Sequence, residues 1–118
     1  MAPGGGRVVA VVRDLFFVAR IRETARAAGV PLTVVRSAEE LAGALAEPAR
    51  FVLLDLTAGV DLARIFEAAA AAGVPVLGYT THALAATTRP WHGRCARVVT
   101  KETLTAELPT LLREGVAA

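Results

Sequence analysis

Arg7-Val8-Val9-Ala10-Val11-Val12-Arg13-Asp14 is the stretch on which the fold turns. A valine-rich run with no polar alternation suits a strand buried on both faces, and such strands belong to parallel sheets covered by helices. Asp14 then opens a helical pattern with Leu15, Val18, Ala19, Ile21 (or Arg22, by its stem) and Ala25 on one face. Gly29 ends that helix as a C′ residue, with Pro31 just beyond. The same strand-then-helix unit recurs downstream. Leu32 to Val35 is a second strand, and Ser37-Ala38-Glu39-Glu40 fits a capping box for a helix reaching about Ala46, which Pro48 ends. Phe51 to Leu54 is a third strand ended by Asp55, and Asp61 to Ala72 an alanine-rich helix closed by Gly73. Val74 to Tyr79 is a fourth strand, followed by a short helix over Thr81 to Thr88 that breaks before Pro90. Arg97 to Val99 is a fifth, and a last helix runs from near Thr105 to about Arg113, with Pro109 tolerable only in its first turn.

Uninterrupted alternation of strand and helix means an α/β domain: a doubly wound parallel five-stranded sheet with helices on both faces and right-handed crossovers. Residues 1–6 are expected to be a flexible lead and residues 7–115 the single domain. The chain has 118 residues and is 54% hydrophobic, which is enough for a real core. Its net charge is only +2, and its arginines are spread along the chain apart from Arg89, Arg94 and Arg97. That reads as a solvated face and excludes a dense nucleic-acid footprint. A single cysteine, Cys95, excludes an internal disulfide and a cysteine zinc cluster. No apolar run approaches the roughly 20 residues of a membrane span. Met1-Ala2-Pro3-Gly4-Gly5-Gly6 lacks the regions of a signal peptide, so the expected location is cytoplasmic.

The chemistry-bearing residues gather where apolar runs end. Lys101, the one lysine beside twelve arginines, follows the run ending at Thr100; Asp14 and Asp55, two of three aspartates, and Thr80 close other runs. In a parallel sheet these ends share one edge, where open α/β folds keep their ligand crevice. Local readings stand beside this one. Asp14 is a good N-cap, Asp55 suits an Asx-turn, Asp61 suits a cap, and Thr80 is simply strand-compatible. His82 and His92 lack metal-ligand spacing, Trp91 reads as a core anchor, and no dinucleotide, Walker or serine-triad pattern is present.

Val8 to Asp14, Phe51 to Leu56, Val74 to Thr80 and Val98-Val99-Thr100-Lys101 together resemble the signature strands of a response-regulator receiver domain, over about Arg7 to Arg113. The resemblance implies a flavodoxin-like (βα)5 fold with strand order 2-1-3-4-5 and a bacterial signalling role. It also implies that Asp55 accepts a phosphoryl group, Asp14 and Asp55 hold Mg²⁺, Thr80 contacts the phosphoryl oxygens and Lys101 pairs with them. Phosphoryl transfer rewards this kind of positioning and charge neutralisation.

The sequence departs from that pattern in three places. Arg13 stands where receivers usually have another acid, and either repels Mg²⁺ or clamps Asp55 as a bidentate partner. Leu56-Thr57-Ala58-Gly59-Val60-Asp61 is shorter than the usual loop and lacks its proline; Glu102 replaces the proline usual after the lysine. The expectation is therefore an atypical stand-alone receiver-like protein. With no output domain it would act through contact with a protein partner, a histidine kinase or a downstream effector, and not through nucleic acid or membrane. Three alternatives remain: a phosphorylation-competent receiver, a small phosphatase using Asp55 with Asp61 as second acid, and a structural α/β protein.

Overall fold

The computed structural model describes residues 6–116. Its elements are β1 (Val8–Val11), α1 (Leu15–Ala28), β2 (Leu32–Val35), α2 (Ala38–Ala44), β3 (Phe51–Asp55), α3 (Leu62–Ala72), β4 (Val76–Thr80), α4 (Ala85–His92), β5 (Arg97–Thr100), α5 (Lys101–Ala106) and α6 (Leu108–Glu114). A 3₁₀ turn over His82–Leu84 leads into α4. The expected flexible lead, residues 1–6, lies outside the described residues but for Gly6. The five strands form one sheet in the order β2-β1-β3-β4-β5, and every neighbouring pair is parallel. This is the doubly wound flavodoxin-like arrangement expected from the sequence.

β1 explains why the valine run matters. Val8 and Ala10 belong to a core with Phe17, Ile21 and Ala25 of α1 and Leu104, Leu108, Leu111 and Leu112 of α5 and α6. Val9 and Val11, pointing the other way, belong to a core with Leu41 of α2 and Ile65, Phe66 and Ala69 of α3. A strand in contact with apolar layers on both sides leaves no position for a polar residue.

Local chemistry starts and stops the helices as expected. Asp14, Ser37 and Asp61 cap α1, α2 and α3 with their side-chain oxygens. Gly29 and Gly73 close α1 and α3 with left-handed φ of 71° and 68°, a region that costs glycine nothing.

Three expectations about helices need correction. The buried face of α1 is Phe17, Ile21 and Ala25, whereas Leu15, Ala19 and Arg22 are exposed. Phe17 wins because Tyr79 projects from β4 to meet it edge-on, with ring centroids 5.5 Å apart. α4 does not break before Pro90 but contains it, so the Ala86 carbonyl forgoes its usual donor. The last helix is two short ones: α5 begins at Lys101, capped by the Thr100 hydroxyl, and Pro109 sits in the first turn of α6.

In the sequence Arg7 opens the first strand run and counts among the spread arginines, with no tertiary role read for it. Its guanidinium donates to the carbonyls of Ala44 (2.6 Å) and Glu47 (2.9 Å) and to the Thr33 hydroxyl (3.0 Å), so it ties the C-terminal end of α2 to β2. A cation there satisfies orphan carbonyls and complements the helix dipole. Arg7→Ala is expected to cost about 1–3 kcal/mol in urea unfolding, and Arg7→Lys most of that, because an ammonium cannot span the same acceptors.

Candidate functional site

The strand ends meet as the register requires: Asp55 lies opposite Tyr79, and Thr80 opposite Thr100. Above them opens a cleft of about 470 Å³. Asp14, Asp55 and Lys101 line it, as does Arg13, together with Arg36, Thr57, Ala58, Tyr79 and Thr81.

Asp55 is 8% exposed at the cleft floor. Its Oδ1 accepts the Thr57 backbone N–H at 2.8 Å and the Thr57 hydroxyl at 2.7 Å, the Asx-turn geometry read from the sequence. Asp14 caps α1 through Oδ1, accepting from Phe16 and Phe17 N–H at 3.0 and 3.2 Å. Its Oδ2 lies 3.4 Å from the Lys101 ammonium, a pair that bridges residues 87 apart in the chain. The N–H donor of Phe17, aided by Lys101, holds the Asp14 carboxyl below its ordinary pKa. A depressed pKa contributes stability above the ordinary carboxylate value and loses it as pH falls through the folded one. Lys101 also lies over the Phe17 ring, 4.7 Å from its centroid, so its charge is held at the cleft wall.

The remaining expected site residues fall differently. Thr80 is buried and does not line the cleft. Its hydroxyl faces Thr88 of α4 at 3.0 Å, and Thr88 in turn meets His92 Nε2 at 2.8 Å. Arg13 lines the cleft without clamping Asp55. Among the described residues the ion pairs are Lys101–Asp14 and Arg26–Glu23. Asp61 caps α3 through Arg64 N–H at 3.2 Å and is not among the residues lining the cleft.

Sequence reasoning missed Arg36 and Tyr79. Arg36 sits just past β2, and only the sheet order carries it to β1's edge. Tyr79 is 1% exposed, and its buried hydroxyl has the Asp55 carboxylate beside it as acceptor, short of ideal hydrogen-bond geometry. Burial and the neighbouring Asp55 charge hold the phenol firmly protonated.

Asp14 and Asp55 are the carboxylates that could hold Mg²⁺ here with waters, and the cations beside them oppose it. Among the described residues no group of three or more His, Cys, Asp or Glu is placed to hold a metal ion. The cleft offers two carboxylates, each with one oxygen already accepting two hydrogen bonds, beside the cations Arg13, Arg36 and Lys101. A hard divalent ion favours the reverse balance of charge.

Elsewhere, Trp91 stacks on Phe66 at 5.8 Å, and Arg94 covers both rings at 5.1 and 5.8 Å. Cys95 beside them is half-buried, which pushes its thiol up to about 11 and leaves it unreactive at neutral pH. No helix among the described residues is long and apolar enough to cross a membrane.

No family model matches the chain, and no curated protein matches it in sequence. Solved structures do match. The receiver domain of sensor histidine kinase PA1611 from Pseudomonas aeruginosa, whose active-site cleft coordinates a magnesium ion, superposes with a TM-score of 0.77. It is 17% identical over 97% of this chain and 99% of that one. A response regulator receiver protein from Burkholderia phymatum gives 0.74 at 22% identity, over 95% of this chain and 97% of that one. A de novo designed Rossmann 2x3 protein also matches, at 0.68 and 15% identity over 95% and 93% of the two chains. The fold is therefore that of receiver domains, and at these identities the likeness is one of fold.

Proposed function

We propose that this protein is a receiver-like signalling module that works by direct contact with a protein partner, and that the contact does not require phosphorylation of Asp55. The observation that carries this reading lies beside the cleft. Leu15 and Phe16, in the first turn of α1, are 70% and 91% exposed. Two adjacent large apolar side chains held in water next to a functional edge suit a partner surface, whereas scattered single ones would mean nothing. The cationic cleft supports the second half of the reading, because it opposes the divalent ion on which phosphoryl transfer to Asp55 would draw.

A phosphorylation-competent reading is favoured by one feature: Asp55 lines a cleft that also holds Asp14 and Lys101, with the Thr57 bonds confined to its Oδ1. Melting temperature with Mg²⁺ plus beryllofluoride, a mimic of the aspartyl phosphate, separates the two. No rise is expected in the parent or in Asp55→Asn. A rise in the parent that Asp55→Asn abolishes would establish the competing reading, since a ligand of the folded state must raise stability. In parallel, Phe16→Glu is expected to keep the parent's melting temperature while losing a partner captured by the parent. Asp55→Asn should retain that partner.

A further inference from the structure

Tyr79 and Asp55 are register partners on adjacent parallel strands, β4 and β3, so their side chains leave the sheet on the same face. Both are buried. The phenol keeps its proton there, and an ionised carboxylate only accepts. The contact therefore has one sense, with the Tyr79 O–H donating to Asp55. It falls short of ideal geometry, and the broad χ2 well of an aspartate leaves room to close it. Thr57 supplies the other donors, an N–H and an O–H on Oδ1. None of these donors is a cation, and among the described residues no lysine or arginine nitrogen lies within 4.0 Å of Asp55. Lys101 is seated elsewhere. Its ammonium is 3.4 Å from Asp14 Oδ2 and 4.7 Å over the Phe17 ring, and Phe17 meets Tyr79 edge-on at 5.5 Å. One pair of rings thus has Asp55 at its hydroxyl end and Lys101 at the other.

We propose that Tyr79 is a positioning residue that holds the Asp55 carboxylate in place of a cation, and that the Tyr79–Phe17 pair keeps Lys101 on Asp14 and away from Asp55. The arrangement is an autoinhibitory contact. A buried carboxylate whose lone pairs are engaged by hydroxyl and N–H donors is a poor nucleophile, because attack must first break those bonds. The inference rests for its meaning on the reading above, since it says how a module that does not need phosphorylation of Asp55 withholds that group.

Composition makes the groups separable by NMR, because the chain has one tyrosine, one lysine and three aspartates. Spectra are compared at one fixed neutral pH in EDTA. Tyr79→Phe keeps the ring against Phe17 and removes only the O–H. It is expected to shift the Asp55 ¹³Cγ resonance and to leave that of Asp61, the α3 cap, in place. Asp55→Ala, which removes the acceptor, should shift the Tyr79 ¹³Cζ resonance. Asp55→Asn should move the Lys101 ¹⁵Nζ resonance far less than Asp14→Asn does. Reactivity is read with a water-soluble carbodiimide and an amine, which need no metal. A carboxyl oxygen adds to the carbodiimide carbon, and the amine then displaces the urea and leaves an amide. Mass spectrometry should find Asp55 coupled several-fold faster in Tyr79→Phe than in the parent, with Asp61 coupled at an equal rate in both. An unmoved Asp55 resonance or an unchanged coupling rate at Asp55 in Tyr79→Phe would overturn the hold. A Lys101 resonance that follows Asp55→Asn more than Asp14→Asn would overturn the separation of Lys101 from Asp55. Neither result bears on the partner contact through Phe16, and the beryllofluoride experiment tests phosphorylation without reading the Tyr79 contact.

Discussion

Arg13→Asp is expected to tighten Mg²⁺ binding at the cleft by at least ten-fold and up to more than a thousand-fold. A unit positive charge and a divalent ion at roughly 6 Å repel by about 1 kcal/mol in water and about 6 kcal/mol at an effective dielectric near 20. Removing Arg13 abolishes that repulsion. The new carboxylate also changes the lining from three cations and two carboxylates to two cations and three carboxylates, counted on Arg13, Arg36, Lys101, Asp14 and Asp55. Calorimetric titration of Mg²⁺ into the parent, Arg13→Asp and Arg13→Ala separates the two contributions, with Arg13→Ala falling between. Equal Mg²⁺ affinity in all three proteins would mean that the Arg13 side chain turns to solvent and exerts no field on the cleft.

Gly78→Val is expected to be the most damaging single change near the site, costing about 3 kcal/mol or more in urea unfolding. Gly78 lies in β4 between Leu77 and Tyr79, with its missing side chain on the face towards Cys95 and Leu56. A Cβ built there would stand 2.8 Å from Cys95 Sγ and 3.2 Å from Leu56 Cδ1. The first distance is closer than packed atoms allow, and neither neighbour is free: Leu56 is 4% exposed and Cys95 half-buried. Gly78→Ala should cost about 1–3 kcal/mol, and combining it with Cys95→Ala should return part of that, because the double change removes the clashing sulfur. A Gly78→Ala protein as stable as the parent, with no coupling to Cys95→Ala, would show that the α4–β5 connection yields instead.

Individual residues show how far the sequence could be read. The caps at Asp14, Ser37 and Asp61 were legible because each depends on N–H groups two or three residues away. The Asx-turn at Asp55 is local in the same way. The α1 face was misjudged because periodicity alone leaves Leu15 and Phe17 nearly equivalent. Their difference arises from Tyr79, more than sixty residues downstream. The contact that Thr80 makes was not legible either: its hydroxyl faces Thr88 of a helix that the sequence reading ended before Pro90. Arg36 and Tyr79 carried no local signal of a site at all.

The chain's own pattern determined the class of the fold, since apolar runs without alternation are stable only as strands covered on both faces, and their spacing leaves room for helices between them. It also determined that Asp14, Asp55 and Lys101 would share one edge, because parallel strands all end on the same side. Only the tertiary structure decided which groups look into the cleft. The Lys101–Asp14 pair spans 87 residues and Arg7's bond to Ala44 spans 37. The side-chain direction of Tyr79, the placement of Arg36 and the diversion of Thr80 likewise depend on which distant element packs there. Such contacts form at the closing of the sheet and its helices, where burial and hydrogen-bond satisfaction are settled for the molecule as a whole.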